Sequence, residues 1–137
     1  MARTPTELRS SLQGLIGFGV TPFHQDFKVD VESLRQNAAH LARYCDVVVA
    51  LGNNGEIFSL SVEEQKLVGR NVVEEVGKRK PVLVGTGFSL PDTCELVRAA
   101  EASGPTASWF SLPTTRVRTK MGFLRISRRR RTLPISE

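Results

Sequence analysis

Residues Asp46–Glu64, "DVVVALGNNGEIFSLSVEE", decide how this 137-residue chain is organised. Asp46 to Leu51 is a β-branched, apolar run with no polar alternation. That pattern suits a strand covered on both faces, as in a parallel sheet. Gly52-Asn53-Asn54-Gly55 then breaks the run with residues that favour turns. Ser61-Val62-Glu63-Glu64 places Glu three residues after Ser, the capping box that opens a helix. The helix carries Leu67, Val68, Val72, Val73 and Val76 and stops at Gly77. The stretch therefore reads as strand, loop, helix.

The same unit repeats on either side. Upstream, "LIGFGV" (Leu15–Val20) is a short apolar strand ending at Thr21-Pro22. Asp30 caps a helix over Val31–Tyr44, whose Val31, Leu34, Ala38 and Leu41 share one face. Downstream, Pro81–Gly85 is a third buried strand and Gly85-Thr86-Gly87 the loop after it. A helix from about Pro91 to Ser103 carries Leu96, Val97 and Ala100, with Gly104 as its stop. The order β-α-β-α-β-α defines an α/β chain of right-handed parallel units. Doubly wound sheets and (βα)8 barrels both begin this way, and periodicity does not separate them.

Composition narrows the function classes. A hydrophobic fraction of 40% and a charged fraction of 24% suit a soluble globular protein. No apolar run approaches the roughly 18–20 residues of a membrane span. "MARTPTELRSSLQG" lacks the apolar centre of a secretory signal, so a cytoplasmic location is expected. Cys45 and Cys94 stand in no metal or redox spacing and are expected to be buried, reduced thiols. The net charge of +5 is unevenly placed: residues 1–104 hold 11 Lys+Arg and 13 Asp+Glu, a net of −2, while residues 105–137 hold 8 Lys+Arg and Glu137, a net of +7. A nucleic-acid or anionic-surface function would therefore rest on Arg125–Arg131, with Trp109 or Phe110 stacking on bases.

In either parallel fold, chemistry gathers at the carboxyl ends of the strands. Three segments qualify: Thr21-Pro22-Phe23, Gly52-Asn53-Asn54-Gly55-Glu56 and Gly85-Thr86-Gly87. In the second, two glycines admit close backbone approach, and two Asn amides with neighbouring N–H groups suit a carboxylate or phosphate. A plain Gly/Asn turn is the competing reading. Glu56 is read as a structural anchor of the loop rather than a catalytic acid. Gly85-x-Gly87 lacks the full dinucleotide fingerprint.

Taken as an ordered set, "GVTPF", "LGNNGEIFSLSVEE", "PVLVGTG" and "AAEASG" resemble the dihydrodipicolinate synthase/N-acetylneuraminate lyase family of (βα)8-barrel aldolases, across about residues 14–104. The resemblance implies a truncated TIM barrel, its first three of eight units. It implies a lyase or dehydratase in which a Lys on a later strand forms a Schiff base with pyruvate or a related 2-keto acid. It also implies a proton-relay Tyr near the fourth strand and no metal or organic cofactor. Asn53 and Asn54 fall where the family has hydroxyl residues in Gly-Thr-Thr-Gly-Glu. Asn54 would contact the substrate carboxylate, with Gly52, Gly55 and Thr21 completing the binding set. Asn53 takes the place of the relay Thr, and an amide does not pass a proton as a hydroxyl does. A divergent aldolase or sugar-acid dehydratase is therefore favoured over lysine-precursor synthesis.

The Schiff-base Lys and relay Tyr find no counterpart here. Lys66, Lys78 and Lys80 lie on or after the second helix and are expected to be solvated; Tyr44 closes the first helix and is expected to pack. No catalytic residue is assigned, and the family's tetramer-like homo-oligomer is not expected for this fragment. Unpaired sheet edges should make it fold poorly.

The resemblance in the residues stops after Gly104, where the family continues with a strand like Ala-Asp-Gly-Leu-Met-Val-Phe-Pro-Pro-Tyr-Tyr. The codons of Pro105–Thr115 accommodate that strand when read one base out of phase. Trp109 is TGG and Phe110 begins TT, so a Val codon, GTT, spans their junction. An Ala-rich helix of GCG codons read as CGG gives the Arg run. Residues 105–137 are thus expected to be an out-of-frame basic tail without regular structure, its nucleic-acid binding incidental. A small doubly wound domain with a ligand at Gly52–Glu56 is a third reading, and it needs further strands.

Overall fold

A computed structural model describes residues 10–86, 89–103 and 107–111. Four strands, β1 (Ile16–Phe18), β2 (Val47–Ala50), β3 (Val82–Thr86) and β4 (Ala107–Ser111), form one sheet in the order β1-β2-β3-β4. Every adjacent pair is parallel. Between them lie α1 (Val31–Tyr44), α2 (Val62–Val76) and α3 (Leu90–Ser103). Sequential parallel pairing with a helix in each crossover is the arrangement of a barrel opened along its length.

The helices form for the reasons written in the sequence. The Asp30 carboxylate accepts the Ser33 N–H at 3.0 Å and caps α1. Ser61 and Glu64 close the capping box of α2, with Ser61 N–H donating to Glu64 at 2.8 Å. The Ser61 hydrogen bonds hold the Glu64 carboxyl below its ordinary value of 4.5, and the Ser33 bonds lower Asp30 in the same way.

Register divides the sheet into two faces. Val48 pairs with Val82 and Ala50 with Val84, so these four share a face. They pack with Leu34, Ala38, Ala42, Val68, Val72 and Val76 into the helix-side core. Ile16 pairs with Val47 and Phe18 with Val49 on the other face. Val47 and Val49 are fully buried there, whereas Ile16 and Phe18 on the edge strand remain exposed. The helix layer is tied laterally by Arg35, which donates to Asn71 and Glu74 at 2.8 Å each across α1 and α2. Lys66 bridges Glu63 on α2 and Glu95 on α3.

Several expectations need correction. Residues 107–111 are not irregular: they form β4, paired with β3 from Val82↔Ala107 to Thr86↔Ser111. The reason is compositional. Trp109 and Phe110 favour strands. Cys45 is buried as expected, but Cys94 is exposed on α3. Tyr44 is also exposed, and its ring stands beside that of His40, with centroids 5.0 Å apart. Lys66 is not freely solvated, because two carboxylates hold it and raise its pKa. Gly85 and Thr86 belong to β3 rather than to a loop; Gly87 and residues 112–137 lie outside the described residues.

Candidate substrate-carboxylate loop

Parallel strands bring the segments after β1 and β2 to the same end of the sheet. The segment after β2 is built of two short 3-10 turns, Asn53–Gly55 and Ile57–Ser59. Two non-glycine residues in the left-handed region set its corners: Leu51 (φ 54°) before the first turn and Glu56 (φ 54°) between the two. Such a conformation costs a side-chain-bearing residue about 1–2 kcal/mol. It persists only where surrounding contacts enforce it.

Those contacts come from three elements. The Thr21 hydroxyl, buried at the end of the first segment, donates to Gly55 O at 2.7 Å. Gln65 on α2, 1% exposed, donates its amide to Leu60 O at 3.0 Å and Ile57 O at 3.3 Å. The side chain of Leu51 is buried, and its carbonyl lies where a Cβ on Gly85 of β3 would stand, 1.9 Å away. Gly85 is thus required by close approach of β3 to the corner residue.

The turn presents its polar groups outward. Gly55 N–H donates to Gly52 O at 3.0 Å and Glu56 N–H to Asn53 O at 3.2 Å. The N–H groups of Asn53 and Asn54 have no partner among the described residues, and both side chains are exposed. Two free N–H donors beside two amides can accept a small carboxylate. Thr21 thus lies against the Gly52–Gly55 turn through its bond to Gly55 O. Glu56 takes a left-handed backbone, and no hydrogen bond holds its exposed carboxylate among the described residues, so its side chain does not supply the expected anchor.

Sequence reasoning missed Gln65 and Leu51. Gln65 follows the capping box directly, and that placement turns its amide back toward the loop. Leu51 carries no sequence signal for a left-handed backbone. Among the described residues, no group of three or more His, Cys, Asp or Glu is placed to hold a metal ion. No described helix is long and apolar enough to cross a membrane.

A sheet of successive βα units, with a donor-rich loop at the carboxyl ends of its strands, defines the opening part of a (βα)8-barrel enzyme. The sequence model of the dihydrodipicolinate synthetase family matches residues 11–113. The chain belongs to that family. A probable 5-dehydro-4-deoxyglucarate dehydratase from Pseudarthrobacter chlorophenolicus is 41% identical over 103 residues, covering 74% of this chain and 34% of that protein. A 4-hydroxy-tetrahydrodipicolinate synthase from Chlorobium limicola is 41% identical over 90 residues, covering 64% and 30%. The crystal structure of dihydrodipicolinate synthase from Bacillus clausii superposes with a TM-score of 0.73 at 31% identity, covering 80% of this chain and 38% of that one.

The family therefore contains lyases and dehydratases, and this chain spans about a third of the length of the curated relatives it matches. The family match runs past Gly104 and through β4, so the sequence break expected at Gly104 falls too early. These matches give the basic-tail nucleic-acid reading no support.

Proposed function

We propose that residues 10–111 are the opening segment of a 2-keto-acid lyase or dehydratase and that the Gly52–Glu56 loop receives the substrate carboxylate. The loop's preorganisation carries this reading: its free N–H groups are fixed by Thr21, Gln65 and the Leu51 corner before any ligand arrives. Preformed donors bind an anion without the cost of ordering them. Asn54 contacts the carboxylate, with Asn53 beside it. The amide at position 53 favours a sugar-acid dehydratase over the synthase, and the dehydratase name of several relatives supports that choice.

In this reading the keto group of pyruvate or a related acid condenses with a Lys of a later strand. The protonated Schiff base serves as electron sink, and no metal or organic cofactor enters. The described residues supply the carboxylate loop, and in this reading that Lys and the relay Tyr belong to later strands. The chain resides in the cytoplasm, does not form the family oligomer, and binds nucleic acid only incidentally through Arg125–Arg131. In this reading the codons for residues 105–137 carry the family's fourth strand and the stretch just after it one base out of phase.

Borohydride reduction in the presence of pyruvate tests the assignment. The 137-residue protein should keep its mass. A version with the frame restored near Gly104 and continued downstream should gain a pyruvyl adduct. An adduct on the unrestored protein, or none on the restored one, contradicts the proposal.

A further inference from the structure

The loop holds a chemically labile sequence that the fold exposes selectively. Four Asn occur in the chain, at 37, 53, 54 and 71, and only Asn54 is followed by Gly. Asn71 is buried, with its side chain bonded to Arg35 and to Leu67 O. Asn37 sits inside α1, where the helical hydrogen-bond ladder holds the following amide. Asn54 differs on each count: its side chain is exposed and makes no hydrogen bond among the described residues. The next amide, Gly55 N–H, is held by a single 3-10 bond to Gly52 O at 3.0 Å. Such bonds have poorer geometry than α-helical ones. Glycine also offers no Cβ to shield the nitrogen.

We propose that Asn54 is a self-deamidation site, and that its conversion disables the loop. The Gly55 nitrogen loses its proton and attacks Cγ of Asn54. A bond forms between that nitrogen and Cγ, the bond from Cγ to the amide Nδ2 breaks, and ammonia leaves with the proton. Water then opens the five-membered imide at either carbonyl, giving Asp or isoaspartate. Asp puts a negative charge where the loop receives a carboxylate. Isoaspartate adds a methylene to the backbone just before the Gly55 carbonyl that Thr21 holds. The loss of binding rests on the carboxylate-loop reading above; the conversion itself does not.

The full-length protein, incubated in mildly alkaline buffer and digested for mass spectrometry, tests the site. Asp and isoaspartate should accumulate at position 54 at least about tenfold faster than at 37, 53 or 71, because only there do nucleophile and carbonyl meet unhindered. Ammonia release should match. Gly55→Ala should slow the reaction by about tenfold, its methyl shielding the nitrogen. That methyl would come no nearer than 3.4 Å to Gly19 O, so the fold should tolerate it. Conversion at Asn54 no faster than at Asn53, or a Gly55→Ala rate equal to the parent's, overturns the site. Neither outcome bears on the borohydride test, so the two proposals fail separately.

Discussion

The segments that follow β1 and β2 reach the same end of the sheet and are built by opposite means. Pro22–Asp30 is a small hairpin closed on itself: His24 N–H donates to Lys28 O at 2.8 Å, and Asp30 N–H to Pro22 O at 2.9 Å. At its tip Phe27 holds φ 65° while 84% exposed. Gly52–Leu60 contains a left-handed residue of its own and follows another, but side chains from the β1 segment and α2 fasten it, and β3 abuts its first corner. Leu51 recovers by burial what its backbone costs. Phe27 has no such compensation. Strain enforced from several sides accompanies a preformed loop, whereas strain held only locally is a liability.

Mutations should separate the two cases. The largest effect belongs to Gly85→Ala, whose methyl would overlap the Leu51 carbonyl. It should destabilise the fold by about 3 kcal/mol or more, read as a drop in the urea midpoint. An unchanged midpoint would mean that the corner yields freely. Thr21→Val keeps the shape but leaves Gly55 O without its donor, and should cost about 1–3 kcal/mol; Thr21→Ser should recover most of that. Next comes the cap of α2. Ser61→Ala should cost about 1 kcal/mol near neutrality.

That cost depends on pH with a definite sign. The folded Glu64 carboxyl lies below its ordinary value of 4.5, so its contribution is present above that value and fades as pH falls through the folded one. Parent and Ser61→Ala should therefore converge in acid; a constant difference would break the link to Glu64. The smallest effect has the opposite direction. Phe27→Gly relieves the left-handed strain with little burial lost, and should stabilise the protein by about 0.5–1 kcal/mol. Destabilisation there would show that Phe27 is held by contacts after all.

Much of this was legible in the sequence. The Asp30 cap, the Ser61–Glu64 box and the non-alternating run at Val47–Ala50 specify α1, α2 and β2 by short-range physics. The loop's Gly and Asn residues announce a turn with free donors. What fastens the loop was not legible, because Thr21 and Gly55 lie 34 residues apart and meet only once β1 and β2 pair. The left-handed Leu51 is imposed by β3 against residue preference. β4 was hard to read for another reason: within Ala107–Ser111 only Trp109 and Phe110 favour a strand.

Amide hydrogen exchange on the 137-residue protein tests the central claim, that the β2 loop is prebuilt and rigid without ligand. The Ser59 amide, bonded to Glu56 O at 2.8 Å, and those of α2 near Gln65 should exchange about as slowly as the β2 and β3 core, and the His24 and Phe27 amides of the hairpin much faster. Loop amides exchanging as fast as the hairpin, or faster, would contradict it.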